Sequence, residues 1–210
     1  MRQHVVSYLI AFLSGFAMMS FEMLGVRVLT PYYGGSIYVW GAIISVFLTG
    51  LGLGYAVGGR QADRDPTGRT LPLWLLLAAG MLLAFPVYGH ACCRIVYAAG
   101  LDSRWGALSL SLLLFLLPCV CIGMVTPLLV KLRATAVGKV GVAAGDVYAA
   151  STAGSIAGTL FTSFFLITWI GVTAGIVLAG ILLAAGGGLG FLAAPGSPGR
   201  QDRKRDSASH

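Results

Sequence analysis

The chain has 210 residues, of which 57% are hydrophobic and only 10% are charged, and its mean hydropathy is +0.86. So little polar surface excludes a soluble globular domain and indicates a protein solvated by lipid. The net charge of +7 does not indicate nucleic-acid binding, because the basic residues lie in short segments between apolar runs, where they set membrane topology. The four cysteines lack the spacing of a zinc or thioredoxin motif. No metal site and no cofactor are predicted.

Six apolar windows are long enough to cross a membrane, since a spanning helix needs about 20 residues. They cover residues 5–28, 38–59, 71–92, 106–130, 143–168 and 171–193. We therefore predict an all-α fold, a polytopic bundle of six transmembrane helices over residues 1–193. Residues 194–210 are rich in Pro, Gly, Ser and charge, which predicts a disordered basic tail.

The distribution of Lys and Arg predicts the orientation of the bundle. With six spans, eleven of these residues fall on one side of the membrane, and only Arg27, Arg94 and Arg104 fall on the other. The positive-inside rule then predicts that both termini are cytoplasmic. The expected location is the cytoplasmic or inner membrane, as a multi-pass protein.

In the first span, Glu22 is the only acidic residue well inside a predicted membrane helix. A charge at that depth costs about 3 kcal/mol unless it is paired or faces water. Glu22 shares a helical stripe with Gly15 and Gly25, which predicts that it faces the bundle interior. Two interpretations stay open: Glu22 binds a cation or carries a proton, or it is neutral or paired and only fixes helix packing. Arg27 lies about 140° further around the helix and is expected at the membrane interface, although it is kept as a candidate ligand residue.

The second span combines a glycine face with a charged turn. Gly50, Gly54 and Gly58 recur every four residues, which predicts close approach of another helix. The cytoplasmic motif that follows is taken as a further candidate functional segment. Its residues are Gly59, Arg60, Asp63, Arg64 and Arg69.

The fifth span is the second candidate lining of an internal site. Asp146 is expected within about the first turn of this span, where a carboxylate complements the helix dipole. Tyr148, Ser151, Thr152 and Ser155 follow and predict a polar face on this otherwise apolar helix.

Three ordered segments resemble the membrane domain of the fused major-facilitator-like spermidine synthase family, in which a helical domain precedes an aminopropyltransferase-like domain. The segments are SGFAMMSFEMLGVRVLTPYYGGSIYVWGAIISVFLTGLGLGYAVGGRQADR, GMVTPLLVKL and VYAASTAGSIAGTLFTSFFLITWIG, and the resemblance covers about residues 8–171. The Glu and Arg of the family's first helix fall on Glu22 and Arg27, and its glycine-rich second helix with an Asp-Arg turn falls on residues 50–64. The family's usual Asn-Thr pair in the fifth helix is replaced here by Ser151-Thr152.

The resemblance implies a function for the membrane domain and not for the transferase, because the nucleotide-binding glycine loop and catalytic aspartates of the transferase have no counterpart in this sequence. The expectation is an integral membrane subunit, not catalytic alone, that anchors a soluble aminopropyltransferase-like partner or handles a cation or polyamine for it. The turn GGRQADRDPTGR is also similar to the loop between helices two and three of major facilitator transporters, and six helices would correspond to half of such a transporter. The alternative is therefore a half-sized transporter that works as a homodimer. A membrane enzyme is the third and least supported interpretation.

Overall fold

The computed structural model describes residues 2–65, 68–134 and 140–193, and nearly all of them are helical. The helices are α1 (Arg2–Tyr33), α2 (Ile37–Arg64), α3 (Thr70–Ala98), α4 (Ser103–Gly123), α5 (Val125–Arg133), α6 (Val140–Phe161), α7 (Ile167–Trp169) and α8 (Val172–Ala193). A π-helical turn, Thr162–Leu166, joins α6 to α7.

Six of these helical stretches are long and apolar enough to cross a membrane, which confirms the predicted fold class. The fourth span consists of α4 and α5, and the fifth consists of α6, the π turn and α7. Consecutive spans alternate in direction, so the start of α1 and the end of α8 lie at the same end of the bundle. We call this end the basic end, because most of the Lys and Arg residues belong to it; its cytoplasmic orientation stays a prediction. The predicted tail, residues 194–210, lies outside the described residues.

Glycines with a positive φ follow α1, α3 and α7 at the opposite end of the bundle. Gly34 follows α1 with a φ of 71°, and Gly171 follows α7 with a φ of 82°. Residues with a Cβ atom rarely adopt this left-handed conformation, so glycine is suited to it. The amide of Gly34 donates to the carbonyl of Thr30 at 2.9 Å, which completes the last turn of α1 before the chain reverses.

The contacts between spans repeat after three helices. The first span packs mainly against the fifth and sixth, and the fourth packs mainly against the second and third. The third and sixth spans pack against each other. Exchanging spans one, two and three with spans four, five and six turns the contacts of the first span into those of the fourth. Spans one to three and spans four to six thus form two equivalent units. Because each unit has three helices, an odd number, the two units run in opposite directions through the membrane, which is the arrangement of an inverted repeat.

Glycine faces mediate one of these equivalent contacts, between α2 and the fourth span. A Cβ atom added to Gly54 would lie 2.6 Å from the carbonyl oxygen of Val120, and one added to Gly58 would lie 2.7 Å from Cα of Met124. The backbones therefore touch directly, as the four-residue glycine spacing predicts.

The equivalent contact, between α6 and α1, uses the same device. Gly154 and Gly158 of α6 lie against the backbone carbonyls of Phe12 and Phe16. From the other side, Gly15 of α1 lies against the carbonyl of Ser151. Glycines on both helices thus bring α1 and α6 into backbone contact.

We expect Gly54→Ala to lower the free energy of unfolding by about 1–3 kcal/mol, because the added methyl group would overlap backbone atoms of the fourth span. Equilibrium unfolding in mixed detergent micelles measures this change. Gly52→Ala is the matched control, since nothing lies within 4 Å of a Cβ at that position of the same helix. Equal loss of stability in both variants would contradict the glycine contact.

Candidate functional site

A groove runs along the face of the bundle between α2 and α6. These two helices make no substantial contact with each other. Both pack against α1 and the fourth span, which form the floor of the groove. A pocket lies in the groove near each end of the bundle. We call this feature the α2–α6 groove.

The pocket at the end opposite the basic end has a volume of about 230 Å³. Its floor belongs to α1 and includes Val26, Arg27 and Thr30, while Trp40 and Ser163 line it from α2 and the π turn. Arg27 is exposed, in agreement with an interfacial position. The structure thus places Arg27 beside an aromatic ring and two hydroxyl-bearing residues rather than in an ion pair with Glu22.

The pocket near the basic end is larger, about 580 Å³. Gly59 and Asp63 line it from α2, Pro127 and Lys131 from α5, and Tyr148 from α6. Two parts of the sequence that were considered separately, the cytoplasmic motif and the polar face of the fifth span, therefore meet in one pocket. Tyr148 is the member of that face that reaches it.

Glu22 lies on α1 between the levels of these two pockets. It is half-buried, and it sits one helical turn from Val26, which lines the smaller pocket. It also lies close enough to the buried Cys119 of α4 to interact with it electrostatically. Within the described parts of the chain, the ion pairs are Lys131–Asp63 and Arg133–Asp146, and no hydrogen bond or ion pair involves Glu22.

The other polar residues of α6 point in different directions. Ser151 packs its backbone against Gly15, and the hydroxyl of Ser155 donates to the carbonyl of Gly15 at 3.4 Å. Thr152 is exposed. The predicted polar face therefore extends over the α1 contact, the groove and the outer surface. Ser151 and Thr152 lie about 60° and about 40° to either side of Tyr148 around the helix, so each has a different neighbour.

Asp146 does not lie in the first turn of its helix, because α6 begins at Val140. It instead joins three helices at the basic end. The hydroxyl of Tyr8 donates to Asp146 at 2.7 Å, and the guanidinium of Arg133 lies 3.6 Å from the same carboxylate oxygen. Arg133 also donates to the Tyr8 hydroxyl and stacks over its ring, with 4.3 Å to the centroid. We call these three residues the Tyr8 cluster. No local pattern in the sequence links Tyr8 or Arg133 to Asp146, so their meeting was not predictable from the sequence.

The charged turn after α2 is organised by Asp65. Its carboxylate accepts hydrogen bonds from the amide of Gly68 at 3.1 Å, the amide of Thr70 at 2.9 Å and the hydroxyl of Thr70 at 2.8 Å. Asp65 thereby fixes the start of α3. The sequence did not indicate this role, because Asp65 lies five residues before α3, outside the N-cap position at which an Asp signals a helix start.

Asp63 belongs to a different contact, with its carboxylate 2.9 Å from Nζ of Lys131. Arg60, Arg64 and Arg69 are exposed. The cytoplasmic motif therefore includes one residue paired to α5 and three arginines that face outward.

A further buried polar pair was not expected from the sequence. The hydroxyl of Thr162, at the start of the π turn, donates to the hydroxyl of Ser20 at 2.8 Å. Ser20 in turn lies 3.5 Å from the carbonyl oxygen of Gly158. Ser20 and Thr162 therefore offer hydrogen-bonding groups at the point where the regular backbone hydrogen bonds of α6 change to those of the wider π turn.

Comparison of the chain with protein-family models, with curated protein sequences and with solved structures finds no match. The candidate site is therefore described by the residues of this chain alone. They are a half-buried carboxylate at mid-span, a pocket with an arginine and a tryptophan at one end of the groove, and a pocket with a tyrosine and an ion pair at the other.

We expect the Arg133–Asp146 pair to be more strongly coupled than the Lys131–Asp63 pair, although its atoms are further apart. The side chain of Arg133 is only 10% exposed, and Tyr8 bridges it to Asp146, whereas both partners of the second pair are more than half exposed. Double-mutant cycles with Arg133→Gln and Asp146→Asn, and with Lys131→Gln and Asp63→Asn, measure the two couplings. The expected values are about 1 kcal/mol and about 0.2 kcal/mol, after allowance for solvent screening. The reverse order would contradict a structural role for the Tyr8 cluster.

Proposed function

We propose that this chain is a non-catalytic membrane subunit that binds an organic cation of the polyamine class at Glu22, and that it serves an aminopropyltransferase-like partner. The observation that supports it best is Glu22 itself, a half-buried carboxylate at mid-span of α1, one helical turn from Val26 of the smaller groove pocket. The resemblance to the membrane domain of spermidine synthase-like proteins supports the class of cation and of partner.

The electrostatics of Glu22 favour a cationic ligand. A carboxylate inside a membrane protein is costly unless a positive charge or water compensates it. The two cationic residues that form ion pairs within the described ranges, Lys131 and Arg133, are engaged near the basic end. A protonated amine that entered the groove would meet a fixed negative charge at a low effective dielectric constant, where the attraction is strong.

Aromatic rings along the groove suit the same kind of ligand. Trp40 lines the smaller pocket and Tyr148 the larger one. Tyr55 of α2 lies beside Thr126 and Tyr148. Ring faces attract ammonium groups, with about 0.5–2 kcal/mol per contact. An elongated cation with one amine paired with Glu22 would direct its other amine toward the rings at one end of the groove.

The partner would bind at the basic end if that end is cytoplasmic, as the Lys and Arg distribution predicts. In this arrangement the 580 Å³ pocket opens toward the partner. A cation released from Glu22 would then pass Tyr148 and the Asp63–Lys131 pair before it reached the transferase.

We expect Glu22→Gln to weaken binding of radiolabelled spermidine to the purified chain in nanodiscs by at least about tenfold, because the variant keeps the shape of Glu22 but removes its charge. Scintillation proximity counting measures the affinity. Asp102→Asn is the control, since it removes an equal charge from an exposed position that lines neither pocket of the groove. Unchanged binding in Glu22→Gln, or equal loss in both variants, would refute the cation site.

A half-sized transporter that works as a homodimer is the second candidate. The α2–α6 groove is open along one side, and a second copy of the chain laid against it would enclose a path with Glu22 at its midpoint. The inverted-repeat pattern of the contacts also supports it, because transporter halves of the major facilitator type are built from such repeats.

In liposomes at high dilution, the homodimer predicts two photobleaching steps per particle for singly labelled protein. Ala144→Trp should shift most particles to one step, because Ala144 lines the larger pocket of the groove. Val142→Trp is the control on the same helix, at an exposed position outside that pocket. One step for the unmodified chain would exclude the homodimer and would leave the subunit proposal standing.

A further inference from the structure

A second pocket at the basic end lies outside the α2–α6 groove, between the end of α2 and the start of α3. Its volume is about 460 Å³, and it is lined by Val57, Arg60, Gln61, Arg64, Asp65 and Thr70. None of these residues lines either pocket of the groove. The cation site and the homodimer make no use of it.

We propose that this pocket binds the headgroup of an anionic phospholipid, with Arg60 and Arg64 as the residues that hold its phosphate. The proposal is independent of the proposed function. It concerns the lipid that surrounds the protein and not the cation in the groove.

The charge of the pocket favours a phosphate group. Arg60 and Arg64 are four residues apart on α2, so their side chains leave the helix on the same side, and both are exposed. Within the described ranges neither arginine forms an ion pair. Guanidinium groups match phosphate oxygens with two parallel hydrogen bonds, and two of them are available here.

The carboxylate in the pocket does not cancel this charge. Both oxygens of Asp65 accept hydrogen bonds from the first residues of α3 and the turn before it. Its negative charge is therefore directed at backbone amides and the hydroxyl of Thr70. Two arginines face one carboxylate, which leaves a net positive pocket.

The helix surfaces below the pocket favour a lipid over a free anion. Leu53 and Val57 lie on the same stripe of α2 as Arg60 and Arg64, and both are exposed. Leu73 and Leu77 continue the stripe of Thr70 along α3 and are also exposed. An anion bound by the two arginines would thus have apolar side chains directly beneath it, on the membrane side.

The packing of the bundle leaves room for acyl chains between these stripes. The two helices make no substantial contact with each other, and both pack against α4 and α5. A cleft lined by apolar residues and headed by arginines at the interface is a site for a phospholipid, whose chains fill the cleft and whose phosphate meets the cations. The depth is suitable, because α2 has 28 residues, more than the approximately 20 that span the hydrocarbon core, and the arginines lie at its end.

Native mass spectrometry of the purified full chain tests this site, with titrations of dioleoyl phosphatidylglycerol and dioleoyl phosphatidylcholine. We expect the unmodified chain to retain the anionic lipid at least about fivefold better than the zwitterionic one. The double variant Arg60→Gln, Arg64→Gln should lose that preference. Arg94→Gln, Arg104→Gln is the control, because it removes two exposed arginines from the opposite end of the bundle.

Two further measurements keep the test decisive. Arg60→Lys, Arg64→Lys should restore part of the preference, because it retains both charges without the planar guanidinium groups. Inorganic phosphate at about 10-fold excess over the lipid should not displace the phosphatidylglycerol, since phosphate cannot fill the apolar cleft. Displacement by phosphate, or an unchanged preference in the Gln double variant, would overturn the phospholipid site.

Discussion

Helices inside a bilayer gain little by covering apolar surface with other helices, because lipid tails are equally apolar. The bundle depends instead on how closely its backbones approach, and glycine decides where they do. Gly54 and Gly58 bring α2 against the fourth span, and Gly154 and Gly158 bring α6 against α1. With α2 and α6 held in this way, the space between them is left open. The glycine contacts thus create the α2–α6 groove, whose pockets are lined by Arg27 at one end and by Asp63 and Tyr148 at the other.

Charge is distributed along the bundle in a way that separates structural from functional roles. At the basic end, Asp146 is paired with Arg133, Asp63 with Lys131, and Asp65 is hydrogen-bonded to the start of α3. These carboxylates hold helix ends together. Glu22 differs from them in both depth and surroundings, since it lies at mid-span with no partner within the described ranges. This contrast, more than the presence of a carboxylate alone, makes Glu22 the candidate for ligand binding.

The two sites proposed here use opposite charges on different faces. The groove offers a carboxylate and aromatic rings, which suit a cation, whereas the pocket between α2 and α3 offers two guanidinium groups above apolar side chains, which suit an anionic lipid. α2 contributes to both. Because its buried glycine stripe is held rigidly against the fourth span, its remaining stripes can face the groove and the lipid separately.

The sequence by itself determined the six spans, the glycine contact of α2 and the depth of Glu22, because hydropathy, four-residue spacing and position along a span are local properties. Tertiary structure alone decided the rest. Tyr8 and Asp146 are 138 residues apart in the chain and meet only when α1 and α6 pack together. Likewise, Tyr148 and not Ser151 reaches the groove, because the glycine contact with α1 sets the rotation of α6 about its axis. The direction in which a helix faces depends on its neighbours, and a single sequence does not contain that information in any local pattern.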